Sequence, residues 1–292
     1  MLVNYRKQYA ETGVIVVPRI VEPDIVARLR VICEHCLCQW RAREATNEGD
    51  PDRHNNAHVI RHLNHPDYYD PAHRAWLVDL LDVVADPNII DVVREVFDDE
   101  VLFRTTSLFF NPLHTSLDGN WHRDTQFTSP DEATEKQKVL HAAERMRQTG
   151  RPQSMQMQIA LVPSDDSEYV PGSHLRWDTD EEYYIRRSND MRYNRSNLMP
   201  GAVHTHQEPG DAAAFNPIGL HRGRYHAERY RRTLMLTYTA ASRPDIPLDV
   251  FNAQPWCLDE GYLEGVKPHT RVFFERFIDR FRDQWLAARD KV

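Results

Sequence analysis

No stretch of about 18 consecutive apolar residues occurs in the chain, so a membrane span is not expected. The opening residues, Met1 to Lys7, lack the apolar core of a signal peptide. Cysteine is scarce: of 4 residues, Cys33, Cys36 and Cys38 crowd one helical-looking segment and Cys257 stands apart. With neither a signal nor spread-out pairs, a reducing cytoplasm is the expectation. Cys33, His35, Cys36 and Cys38 could supply zinc ligands, but no second Cys/His pair stands at finger-like spacing, and a helical thiol cluster is the plainer reading. There is no basic excess either. Lys+Arg number 36 against 44 Asp+Glu, a net charge of −8, which argues against nucleic acid and against an anionic membrane surface as partners. Internal repeats and low-complexity linkers are absent, so residues 1–292 are taken as a single domain.

What is present suits a soluble, globular chain: 41% hydrophobic and 27% charged residues. Val14-Ile-Val-Val-Pro18 predicts a strand, and Glu22-Pro23-Asp24 opens a helix that continues through Ile25, Leu29, Ile32 and Cys36. Residues 73–97 carry a helical apolar stripe broken at Asp86-Pro87, so the N-terminal region, about 19–97, is mostly helical. Residues 101–103 and 107–110 predict strands, residues 131–147 an inserted helix, and residues 155–161 a strand. In the last, Gln156 and Gln158 would face inward at a cost unless that face lines a wet cavity. Strands follow at 212–216 and 233–240, and an aromatic amphipathic helix at about 270–288 is expected to pack in the core or at a dimer contact. Residues 41–57 and 178–200 lack a pattern and are two candidate lids; Arg41, Arg43, His54, Tyr183, Tyr184, Arg186 and Arg187 there would suit a polar or anionic ligand, or simply a solvated face.

The chemistry concentrates at Trp121-His122-Arg123-Asp124. On an extended segment His122 and Asp124 point the same way, so an imidazole and a carboxylate can share one metal ion. Alone, such a triplet is weak. Downstream, Pro209-Gly210-Asp211 starts an apolar run that ends in His221, 99 residues after His122, and Arg232 follows 11 residues later. Two histidines and one carboxylate on one face suit non-heme Fe(II), because open positions remain. His204, His206 and His226 compete with His221 but do not end that strand; Arg231 rivals Arg232, and alternation puts the two on opposite faces.

Together with Val170-Pro-Gly-Ser-His174, these residues resemble the phytanoyl-CoA dioxygenase-like family of Fe(II)/2-oxoglutarate-dependent oxygenases, over roughly residues 5–240. The resemblance implies a mainly β fold with packed helices, a double-stranded β-helix (jelly roll, cupin-like). It implies that His122, Asp124 and His221 hold Fe(II) and that Arg232 pairs with the distal carboxylate of 2-oxoglutarate, a match for its planar fork. Gln156, Thr233, Thr105 and Ser107 are carried over as cofactor-facing positions, with Phe109 beside cofactor or substrate. Asp165 to Val170 and the long inserted helix depart from the family pattern and bear on the substrate. The implied activity is hydroxylation by O2 of an unactivated C–H bond in a small molecule, a specialised metabolite or amino-acid derivative. A carboxylate at position 124 argues for hydroxylation or a related oxidation, such as desaturation or ring formation, and against halogenation, which needs a small residue there. The alternatives are a non-catalytic metal- or ligand-binding jelly roll, and a 2-oxoglutarate-independent metal enzyme on the same fold. Arg232 is the residue expected to separate them.

Overall fold

The computed structural model describes residues 4–45, 53–243 and 253–289. In chain order the elements are α1 (Tyr5–Thr12), β1 (Val14–Val17), α2 (Pro23–Glu44), α3 (Arg53–Asn56), β2 (Val59–Arg61), α4 (Arg74–Val84), α5 (Pro87–Phe97), β3 (Val101–Phe110), β4 (Leu117–Asp118), α6 (Glu132–Thr149), β5 (Ser154–Ala160), β6 (Ser167–Tyr169), α7 (Asp180–Met191), β7 (Val203–His204), β8 (Ala212–Phe215), β9 (His221–Tyr225), β10 (Arg232–Ala240) and α8 (Pro268–Arg289). The strands form a six-stranded sheet ordered β1-β8-β5-β10-β3-β2 and a four-stranded sheet ordered β4-β9-β6-β7. Every pairing is antiparallel. The two sheets enclose a cavity without closing into a barrel, and helices cover the outer face of the larger sheet. The mainly β, jelly-roll expectation therefore holds.

Alternation along β10 decides which side chains reach that cavity. Leu234 and Leu236 pack outward into the main core with Leu77, Leu80, Phe274 and Phe277 from the helices, whereas Met235 and Thr237 line the cavity. In register with them, Thr105 and Gln156 flank Thr237, while Ser107 and Gln158 flank Met235. A bulge between Thr237 and Tyr238 shifts the pairing with β3, and Tyr238 donates outward to the Val84 carbonyl at 2.7 Å.

Helix ends follow their sequence signals. Asp86 caps the amide of Asn88 at 2.9 Å, and Pro87 opens α5. Asp131 caps α6 through the Thr134 amide at 2.7 Å, and Gly150, at φ +61°, closes it. The break at 86–87 and the inserted helix are where the sequence places them. Three expectations are corrected. Residues 101–110 form one continuous strand. The first candidate lid begins inside α2, which runs on to Glu44; of the rest, 46–52 lie outside the described residues. The second candidate lid contains α7. The C-terminal helix is core: Phe277, Phe281 and Trp285 are essentially inaccessible. Among the described residues no helix is long and apolar enough to cross a membrane.

Candidate metal centre

Arg123 is extended (φ −117°, ψ 138°), so His122 and Asp124 fall on one side, as the motif requires. Asp124 then opens a 3₁₀ turn, Asp124–Thr128. His221 begins β9 and faces His122 as an antiparallel bridge, with both N–O distances 3.0 Å. Asp124 Oδ1 lies 3.5 Å from His122 Nε2 and 3.5 Å from His221 Nε2. The three ligand atoms all fall within 4.8 Å of one another, the one His/Cys/Asp/Glu group of that kind among the described residues. Cys33, His35, Cys36 and Cys38 do not come together as a metal-binding group among the described residues: Cys33 and Cys36 are buried, Cys38 is exposed, and His35 Nε2 lies 2.7 Å from the Tyr68 carbonyl.

The protonation states suit a cation. His122 Nδ1 is 2.7 Å from the Asn120 carbonyl and His221 Nδ1 is 3.0 Å from the Gly219 carbonyl. A carbonyl only accepts, so each Nδ1 carries the hydrogen and each Nε2 presents its lone pair. Burial, reinforced by the His221 ring, pushes His122 down to about 4 despite the attraction of Asp124. Burial alone would raise Asp124; the hydrogen bond and charge of His221, the charge of His122 and the Gln156 amide outweigh it and hold the carboxyl below its usual range. Nε2 atoms left free of hydrogen beside an ionised carboxylate are what a metal ion takes as ligands. Gln156 Nε2 donates to Asp124 Oδ2 at 2.5 Å, which orients the carboxylate. Phe215 packs 4.9 Å from the His221 ring, and Phe127, 67% exposed, packs 5.3 Å from His122 at the mouth.

Gly219 positions His221 by what it lacks. A Cβ there would stand 1.9 Å from the Tyr169 hydroxyl oxygen. The Pro171-Gly172-Ser173-His174 turn grips the same strand, because Ser173 Oγ accepts from the Leu220 amide at 2.8 Å.

The cavity in front of the three ligands measures about 660 Å³. Gln156, Gln158, Thr105 and Phe109 line it. Ser107 Oγ is buried without a hydrogen-bond partner among the described residues, and Thr233 Oγ1 is 3.3 Å from Arg231 Nε. Arg232 is the correction. Its guanidinium faces away, donating to Glu34 on α2 at 2.5 and 3.0 Å and resting over the Tyr230 ring. Arg231 lines the cavity instead, 1% exposed, with its guanidinium over the rings of Tyr225 (5.2 Å) and Phe109 (5.6 Å). Arg231 Nε also lies 3.6 Å from Asp166, and Nη1 donates to the Arg224 carbonyl at 2.9 Å.

The second lid is corrected as well. Arg186 is wholly buried between Asp178 (2.6 Å) and Glu135 (3.0 Å); Arg187 also pairs with Glu135, at 2.6 Å, and Tyr183 donates to Glu132 at 3.0 Å. These side chains fasten α7 to α6. Arg41 and Arg43 belong to α2, where they lie over the rings of Phe110 and Tyr68.

The family model for phytanoyl-CoA dioxygenase (PhyH) matches residues 9–233. The chain belongs to the phytanoyl-CoA dioxygenase family. The match spans both ligand-bearing segments and the Pro-Gly-Ser-His turn between them. No curated protein sequence matches the chain. Solved structures share the fold. EctD from S. alaskensis with 2-oxoglutarate and 5-hydroxyectoine is 21% identical over 93% of this chain and 86% of its own, at a TM-score of 0.57. AviO1 from Streptomyces viridochromogenes Tue57 is 18% identical over 85% of this chain and 100% of its own, at 0.55. SnoK, a non-heme alpha ketoglutarate dependent carbocyclase from nogalamycin biosynthesis, is 16% identical over 82% and 85%, at 0.54. At these identities the likeness is one of fold.

Proposed function

We propose that this member of the phytanoyl-CoA dioxygenase family is an Fe(II)- and 2-oxoglutarate-dependent oxygenase that hydroxylates an unactivated C–H bond of a small molecule, a specialised metabolite or amino-acid derivative. One observation carries the reading: two imidazoles and a carboxylate converge in the cavity that a buried guanidinium, Arg231, also lines. Together iron, 2-oxoglutarate and O2 supply the oxidising chemistry, with succinate and CO2 released. The residues do the rest. His122 Nε2, His221 Nε2 and Asp124 would hold the iron and leave its other positions open. Gln156 fixes the free oxygen of Asp124. Arg231 would take the distal carboxylate of 2-oxoglutarate in its fork, held flat by Tyr225 and Phe109. Thr233 would steady that guanidinium through Oγ1, and the Ser107 hydroxyl has hydrogen-bonding capacity to spare.

A carboxylate rather than a small side chain at position 124 favours hydroxylation over halogenation. The buried arginine in the cavity favours a 2-oxoglutarate-dependent reaction over chemistry that has no distal carboxylate to anchor. The test is anaerobic titration of 2-oxoglutarate into the Fe(II)-loaded protein, followed by its visible charge-transfer band. A band that forms in the parent chain and is lost in His221→Ala is expected; no band at any 2-oxoglutarate concentration would overturn the reading.

A further inference from the structure

Arg123, between the two ligands of the His-x-Asp motif, points away from the cavity and is completely buried. Its Nη1 donates to the carbonyls of Ser173 at 2.8 Å and Ile218 at 2.7 Å. Ile218 stands just before Gly219, whose carbonyl orients His221, and Ser173 receives the Leu220 amide. One guanidinium therefore ties the segment bearing His122 and Asp124 to the segment bearing His221. Its Nε and Nη2 reach Asp178 Oδ1 at 3.0 and 2.9 Å. Asp178 Oδ2 accepts from Arg186, Arg186 reaches Glu135 on α6, and Glu135 takes Arg187 on its second oxygen. Charge alternates along this row, and Trp177 lies beside the first two guanidiniums, 5.7 Å from Arg123 and 5.1 Å from Arg186. Arg186 also touches Gln126, two residues beyond Asp124.

Burying so many charges is costly, and a structural role for α6 and α7 would be met as well by apolar packing. What apolar packing cannot supply is a fixed direction at both ends of the ligand set. We propose that Arg123 is a positioning residue for the metal ligands, and that the row Arg123–Asp178–Arg186–Glu135 couples the inserted helix α6 to the geometry of His122, Asp124 and His221. This rests on the metal reading above. It predicts an effect that fades with distance along the row, from Asp178 through Glu135 to Arg187, whose side chain is partly exposed.

The test uses the metal-free full chain and Co(II) alone, read by its visible d–d absorption. Asp178→Asn keeps the shape and removes the charge; it should weaken Co(II) binding by about tenfold or more and change the band, the size seen when outer-shell partners of metal ligands are removed. Arg123→Lys, which keeps the charge without the fork, should not restore binding. Glu135→Gln, two links further out, should weaken binding less, and Arg187→Gln should fall within about twofold of the parent chain. Phe277→Ala, a core change remote from the site, should lower the melting temperature with the Co(II) affinity and band unchanged. Should Asp178→Asn fail to fold, Glu135→Gln carries the same question. A folded Asp178→Asn or Glu135→Gln protein with parental Co(II) affinity and band would overturn the coupling alone. A parent chain that takes up no Co(II) lost on His221→Ala would instead overturn the metal reading, and the coupling with it.

Discussion

At the scale of single residues, Arg231 and Arg232 are neighbours with opposite fates. Arg232→Gln breaks a partly exposed ion pair with Glu34 and should cost on the order of 1 kcal/mol of stability, with 2-oxoglutarate binding unchanged. Arg231→Gln should raise the 2-oxoglutarate dissociation constant roughly 100-fold, the equivalent of about 2.8 kcal/mol, by removing a charged fork from a buried site. Calorimetric titration of the two variants separates these outcomes. His174 gives a second prediction. Burial pushes it down to about 4; its Nε2 faces the Ala10 carbonyl at 3.2 Å, and its Nδ1 is buried without a partner among the described residues. The folded-state value lies below the ordinary 6.5, so the unfolded chain binds the proton more tightly. Stability from this group is present above pH 6.5 and is lost as pH falls toward 4, by up to about 3 kcal/mol. Urea midpoints of the metal-free protein between pH 7 and 4 should show a shallower acid decline in His174→Gln than in the parent chain, once both are referred to their pH 7 values.

At the scale of elements, the strands carry the clearest lesson about what the sequence holds. Met235 and Thr237 line the cavity while Leu234 and Leu236 pack into the outer core, so up to the bulge the odd positions of β10 face the cavity. Extended back one step, that parity selects Arg231. Spacing from His221 selects Arg232 instead, and it cannot be combined with Thr233 on the same face. That an arginine lines the cavity at 231 was legible in the strand's own alternation; spacing points to its neighbour because the turn between β9 and β10 sets the offset. His122, Asp124 and His221 converge where motif and spacing indicate, because each stands at an element's start or bridge and needs only local backbone to aim it. The inward Gln156 and Gln158 were legible for the reason given for β10. The row through Arg123 was not, since each of its members is an ordinary charged residue in sequence and only the docking of α7 on α6 removes it from water. Likewise α8 could have served a dimer. Its aromatic face, through Phe274 and Phe277, packs instead on Phe103 of β3. Phe277→Ala should therefore cost about 3–5 kcal/mol in chemical denaturation.

At the scale of the whole molecule, the cavity couples folding to its ligands. Any ligand bound only by the folded chain stabilises it by mass action, about 2.7 kcal/mol at a hundredfold excess over its dissociation constant. For a chain of 292 residues that is a rise of roughly 4–5 °C in the melting temperature. Mn(II), used anaerobically as a redox-quiet probe, should give such a rise in the parent chain and none in His122→Ala, whose remaining imidazole and carboxylate make a poor pair. The second increment discriminates more sharply. If 2-oxoglutarate is held between the metal and Arg231, neither end alone suffices, and its increment should appear only after the metal is added. Arg231→Gln should then keep the metal increment and lose the 2-oxoglutarate one, while Arg232→Gln keeps both above a slightly lowered baseline. An anion attracted merely by the positive lining would behave differently: 2-oxoglutarate would stabilise the metal-free chain, succinate would do so equally well, and both effects would fade with added salt. Differential scanning fluorimetry of three chains with metal, with 2-oxoglutarate and with both resolves the two cases, because only a site that chelates at one end and pairs a carboxylate at the other makes the two increments depend on each other.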